Sequence, residues 1–121
     1  MAHVGAYEEA ARRNGRQVET ITIPLADLDR AVVDEERDGF VRVHHDRGRL
    51  LGCTVVSSRA GEMIAVATDA LMHGRTLNDL AATIHPYPTQ TAAFRAAGDV
   101  YRRTRLTPRI RAILKRYFRL V

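Results

Sequence analysis

Between Gln17 and Leu25 apolar and polar residues alternate, with Ile21, Ile23 and Leu25 on one side and Thr20 and Thr22 on the other. A period of two marks a strand with one buried face, and Pro24 marks its end. Phe40-Val41-Arg42-Val43-His44-His45 predicts a second strand, and Arg49 to Val56 a third. Asp46-Arg47-Gly48 between them supplies a glycine for positive φ, so the two form a hairpin. Elsewhere the pattern is helical. Ala6 to Arg13 is Ala- and Glu-rich and stops at Asn14-Gly15, and Asp27 to Val33 reads as one or two helical turns carrying Leu28, Ala31 and Val32. Ser57 or Ser58 caps a long helix to about His73, with Gly74 as its stop. Met63, Ile64, Val66, Ala67, Ala70 and Leu71 surround most of that helix, which therefore needs cover beyond the sheet, from later helices or a second subunit. Thr76 opens a short helix through Ala82, and another runs from about Thr91 to Arg103. Thr107-Pro108 pairs an N-cap with proline at the first helical position, and Ile110, Ile113, Leu114, Tyr117 and Val121 form one stripe in a last helix. Strands first and helices afterwards predict an α+β fold: a small antiparallel sheet of at least three strands, followed by and packed against helices.

Length adds that residues 1–121 make a single domain, large enough to bury a core, with 107–121 a basic amphipathic C-terminal helix. The net charge of +5 is unevenly placed: from Arg95 onward there are nine Lys or Arg and one acid, Asp99. Such a tail meets phosphate, an anionic membrane or an acidic surface, or else is a solvated helix face, the reading preferred here. No apolar run is long enough to span a bilayer and no signal pattern opens the chain, so a cytoplasmic protein is expected, with neither nucleic acid nor membrane as partner. The single cysteine, Cys53, excludes an internal disulfide or redox pair, and its place mid-strand between Leu51 and Val55 makes it a small hydrophobe.

Five histidines invite a metal. His44 and His45 are neighbours in a strand and point to opposite faces, while His3, His73 and His85 lack ligand spacing; no metal site is expected. The glycines nowhere form a strand-to-helix phosphate fingerprint, so no cofactor site is expected within this chain.

The stretch Ala82-Thr83-Ile84-His85-Pro86-Tyr87-Pro88-Thr89-Gln90-Thr91 stands apart. Two prolines around a tyrosine make a rigid, extended connector, and Thr89 or Thr91 is placed to cap the next helix. His85 and Tyr87 are thereby presented near a helix N-terminus, where partial positive charge collects.

Read with Ser58-Arg59-Ala60-Gly61-Glu62-Met63-Ile64 and with Ala97 to Pro108, the connector resembles the C-terminal dimerisation domain of the FAD-dependent pyridine nucleotide-disulfide oxidoreductases, most closely the mercuric-reductase-like branch. The similarity runs from Ala2-His3-Val4-Gly5 to about Pro108. The resemblance implies that an FAD domain, an NAD(P) domain and a redox-active cysteine pair lie upstream in the parent enzyme, so the chain reads as an isolated domain, a cloned fragment or a truncated gene product. It also implies a His-Pro-Thr segment followed by glutamate, the His serving as acid/base in the partner subunit's site. Aligned on Pro88-Thr89, the base position is Tyr87, as in mercuric reductases, and the glutamate position is Ala92, a departure from both branches. The family's cis peptide before the matching proline falls at Tyr87-Pro88.

An ordinary tyrosine has a pKa of about 10 and histidine of about 6.5. Tyr87 is therefore expected to act as a hydrogen-bond donor or as a weak ligand beside a thiolate-bound metal ion rather than as a base, while His85 has the right intrinsic pKa one register away. The chain alone is expected to be catalytically silent and to form a homodimer through Met63, Ala67, Leu71, Tyr87 and Pro88. The rival reading is a basic interaction module whose last helix binds nucleic acid or an anionic membrane. A self-contained enzyme using His85 and Tyr87 ranks last, since no nucleophile or carboxylate is placed beside them in the sequence.

Overall fold

In the computed structural model, which describes residues 1–120 (Leu120 by its backbone alone), the hairpin is β3 (Phe40–Asp46) and β4 (Arg49–Val56). Its two loop residues, Arg47 and Gly48, both take positive φ, the conformation that matches the right-handed twist of the flanking strands. β2 (Glu19–Pro24) pairs with β3, and β1 (Ala2–Gly5), a strand the pattern reading passed over, pairs with β4. The result is a four-stranded antiparallel sheet of order β1-β4-β3-β2 in an α+β fold. β1 is short and only half-buried, so alternation has little length in which to register.

One sheet face carries Ile23, Val41, Val43, Cys53 and Val55, all buried. α3 (Ala60–Met72) packs on β4 and β1, and α5 (Ala92–Thr104) on β2 and β3. α4 (Leu77–Ala82) lies along α5, and their close approach depends on Gly98, where a Cβ would sit 2.4 Å from the Leu77 carbonyl oxygen and 2.7 Å from Ala81 Cβ. Phe94, fully buried, anchors α5 in the core. α1 (Glu8–Arg13) lies on the opposite side of the sheet, where the Thr20 hydroxyl donates to Glu8 at 3.3 Å. Leu25 leaves the strand for a 3-10 turn, followed by the short α2 (Asp29–Val33), in which Leu28 and Ala31 are buried but Val32 is exposed.

Helix ends follow local chemistry with two corrections. Thr76 caps α4 in a reciprocal capping box with Asp79, and the Gly74 and Arg75 N–H groups close α3 onto the Leu71 and Ala70 carbonyls. The cap of α3, however, is Arg59: the Ser57 hydroxyl accepts the Arg59 N–H at 3.0 Å in the turn ahead of the helix. Thr91 stands at the start of α5 in helical conformation and makes no side-chain cap, because its hydroxyl pairs with Thr89 Oγ1 at 2.9 Å.

Met63 and Ala67 also need correction as interface residues. They are 2% and 0% exposed within the protomer itself, turned onto the sheet, and a side chain already sealed in its own core has no surface left for a mate. Leu71 is half-buried against the same core. The outward face of α3 is instead Gly61, Glu62, Ala65, Asp69 and Met72. α6 (Pro108–Leu120) starts as expected, with Thr107 Oγ1 accepting the Ile110 N–H at 3.3 Å, and its residues from Pro108 to Arg119 are all exposed. Val121, the last member of its expected stripe, lies outside the described residues.

Candidate functional site

The connector between α4 and α5 bends at Tyr87 and Pro88, with a cis peptide between them where the resemblance placed one. Gln90 tethers it from inside. That side chain is 3% exposed; its amide donates to Glu36 Oε2 at 3.0 Å, and its carbonyl oxygen accepts the Ser57 hydroxyl at 2.5 Å. Ser58 donates to the same Glu36 oxygen at 2.7 Å. A buried amide bonded at both its nitrogen and its oxygen fixes its segment, because leaving it unpaired is costly. Thr89 closes the turn by donating to the Pro86 carbonyl at 2.8 Å.

Held in this way, Tyr87 stands outward, 79% exposed. Its hydroxyl donates to Asp29 Oδ2 at 2.8 Å, reaching the first residue of α2. The hydrogen bond to the Asp29 carboxylate, and then its charge, push the phenol above its ordinary pKa of 10. Tyr87 therefore keeps its proton near neutrality. An open cleft of about 230 Å³ lies beside the pair, lined also by Ala92, Arg95 and Asp99. Ala92 is half-buried there, a methyl at the position where the resemblance calls for a carboxylate.

His85 does not join this group. It lines a separate cleft with Ala65, Asp69 and Thr83. Its Nε2 is sealed from solvent without a hydrogen-bond partner among the described residues. Burial first, and the Arg95 charge second, hold its pKa below 6.5. Pro88 is half-buried and lines the first cleft as well as one of about 530 Å³ against Arg59, Glu62 and Met63 at the start of α3.

Away from the connector, the His44 and His45 rings both lie inside the fold. His44 Nδ1 lies 2.8 Å from the Thr20 hydroxyl. His45 Nδ1 accepts the Gly48 N–H at 3.1 Å, and its ring meets Tyr101 edge-on at 5.2 Å. The two histidines thus have different neighbours on opposite faces. No group of three His, Cys, Asp or Glu placed to hold a metal ion occurs among the described residues. Burial raises the Cys53 thiol to about 12, so it stays protonated.

Sequence reasoning missed Asp29 and Gln90. Asp29 is 58 positions from Tyr87, with nothing local to distinguish it from the neighbouring acid Asp27. Gln90 is a polar residue in a polar turn, and only the fold buries it.

A cleft of about 230 Å³ is below the roughly 300–1,000 Å³ usual for small-molecule sites. Nor do the residues fit a dinucleotide: the β4-to-α3 turn, Ser57 to Arg59, carries no glycine, where close pyrophosphate approach needs several.

The chain belongs to the family of the pyridine nucleotide-disulphide oxidoreductase dimerisation domain, whose family model matches residues 1–97. It is 40% identical over 100 residues to dihydrolipoyl dehydrogenase of Thermus scotoductus, covering 81% of this chain and 22% of that protein. It is 36% identical over 99 residues to mercuric reductase of Lysinibacillus sphaericus, covering 80% and 18%. Among solved structures, LpdA of Mycobacterium tuberculosis matches with a TM-score of 0.74 and 29% identity, over 81% of this chain and 22% of that one. The flavoprotein disulfide reductase RclA of Escherichia coli matches with a TM-score of 0.76 and 25% identity, over 81% and 23%. The chain thus spans about a fifth of the length of the curated relatives it matches. No described helix is long and apolar enough to cross a membrane.

Proposed function

We propose that this chain is the homodimer-forming domain of a flavoprotein disulfide reductase of the mercuric-reductase-like branch, and that Tyr87 completes the partner subunit's site. FAD and NAD(P)H would be held by domains outside this sequence. The observation that carries the reading is the outward Tyr87 with its proton committed to Asp29. Donation to a carboxylate enriches the phenol oxygen in electron density and leaves its lone pairs free. Of the two roles expected from the sequence, this favours weak ligation beside a thiolate-bound metal ion over hydrogen-bond donation to a substrate.

Chemistry by His85 in the same site has less support, since its free nitrogen is sealed in another cleft. Ala92 supplies no orienting carboxylate, and Asp29 takes over that function from a different element. For the mate, the outward face of α3 and the connector offer exposed Met72, Ile84 and Tyr87.

Sedimentation velocity on the full chain over a wide concentration range tests the dimer. Met72→Glu with Ile84→Glu should shift the population to monomer, and a wild-type chain that stays monomeric throughout counts against this reading. For Tyr87, the chain is grafted onto the flavin and nicotinamide domains of a mercuric reductase in place of that enzyme's own interface domain. Tyr87→Phe should then lower turnover of Hg(II) roughly tenfold or more while sparing dimerisation, on the scale of a lost positioned polar group. Unchanged turnover would remove Tyr87 from the site.

A further inference from the structure

The family model ends at residue 97, so it leaves α6 unexplained. In α6, Ile110, Ile113, Leu114 and Tyr117 recur at helical spacing on one face, with Phe118 on its edge. All five are exposed, from 41% at Leu114 to 72% at Phe118. Lys115, Arg116 and Arg119 occupy the other side, Arg109 and Arg111 flank the stripe, and the helix contains no acid.

We propose that α6 is an interfacial helix that lies on an anionic phospholipid bilayer, its apolar stripe at the acyl boundary and its cations among the phosphates. Charge complementarity selects this occupant. Pairing with the same helix of a second copy would set one all-basic helix against another, with no acid in either to offset the repulsion. A nucleic acid would take up the cations yet leave five large apolar side chains in water. A bilayer with anionic headgroups satisfies both faces at once. Five Lys and Arg within its 13 described residues keep the helix out of the hydrocarbon core, so it lies in the surface plane. The reading departs from the expectation of no membrane partner and takes up the membrane half of the rival reading, placing it on a helix separate from the Tyr87 site.

Co-flotation of the full chain with phosphatidylcholine vesicles, with and without phosphatidylglycerol, tests it. The chain should float with the anionic vesicles, binding them roughly tenfold or more tighter than neutral ones, and each of Arg111→Gln and Lys115→Gln should weaken that binding about fivefold. Ile113→Asp, on an exposed face where the core is not disturbed, should weaken it roughly tenfold while circular dichroism and the melting curve show an intact fold. Failure to float, equal binding to both vesicle types, or indifference to Ile113→Asp overturns the proposal. So does tighter binding to duplex DNA than to anionic vesicles at equal salt. If Ile113→Asp instead turns a lipid-free dimer into monomer, the stripe belongs to a second copy and the proposal also falls.

Discussion

The Tyr87 hydroxyl donates a 2.8 Å hydrogen bond to Asp29 Oδ2, joining the proline connector to the start of α2 across 58 positions of sequence. Asp29 thereby orients the Tyr87 phenol and raises its pKa further above neutrality. Removing the carboxylate's charge should lower the Tyr87 pKa. In an NMR titration of ring-labelled tyrosine, Asp29→Asn should move the Tyr87 transition to lower pH and leave the other three tyrosines where they were. An unmoved Tyr87 transition would show that the pair does not persist in solution.

Acid should weaken the fold through three histidines. His44, His45 and His85 are each held below 6.5, with burial the largest cause in every case. As pH falls through 6.5 the unfolded chain takes up protons that the folded chain still refuses. Stability is thus complete above the unfolded value and is lost as pH drops toward the folded values. Urea midpoints between about pH 7.5 and about pH 5 should fall monotonically, and His45→Gln should flatten the dependence.

Cys53 should be chemically silent until the protein unfolds. Its side chain is fully buried and its pKa is about 12, so almost no thiolate exists near neutrality. A thiol reagent should label it in urea and at negligible rate in buffer. Rapid labelling of the native protein would mean that the β4 region opens freely.

The α4–α5 seam should be intolerant of added volume. Gly98→Ala places a methyl 2.4 Å from the Leu77 carbonyl oxygen, and backbone must move to admit it. The loss should be about 1–3 kcal/mol, read from urea denaturation. Phe94→Ala, which empties the core side of the same helix, should cost about 3–5 kcal/mol.

Locally encoded features were legible beforehand. The β3–β4 hairpin follows from alternation and a loop glycine, and the Thr76 cap and the Thr107-Pro108 helix start follow from side-chain chemistry within one turn. The orientation of α3 was not legible. Apolar residues around most of its circumference leave the choice of buried face open, and contact with β1 and β4 turned Met63 and Ala67 inward. The same holds for the connector, where His85 and Tyr87 lie two residues apart in sequence but line different clefts.

By itself, then, the amino-acid order determined the strands of the hairpin, most helix ends, the rigid tyrosine-bearing connector and the separation of a basic amphipathic tail, because each depends on residues within a turn or two of one another. Tertiary structure alone decided which acid meets Tyr87, which glutamine of the connector is buried, and which side of α3 remains exposed. Those outcomes depend on pairs 33 to 58 residues apart and on which surfaces the sheet had already covered, and no local pattern carries that information.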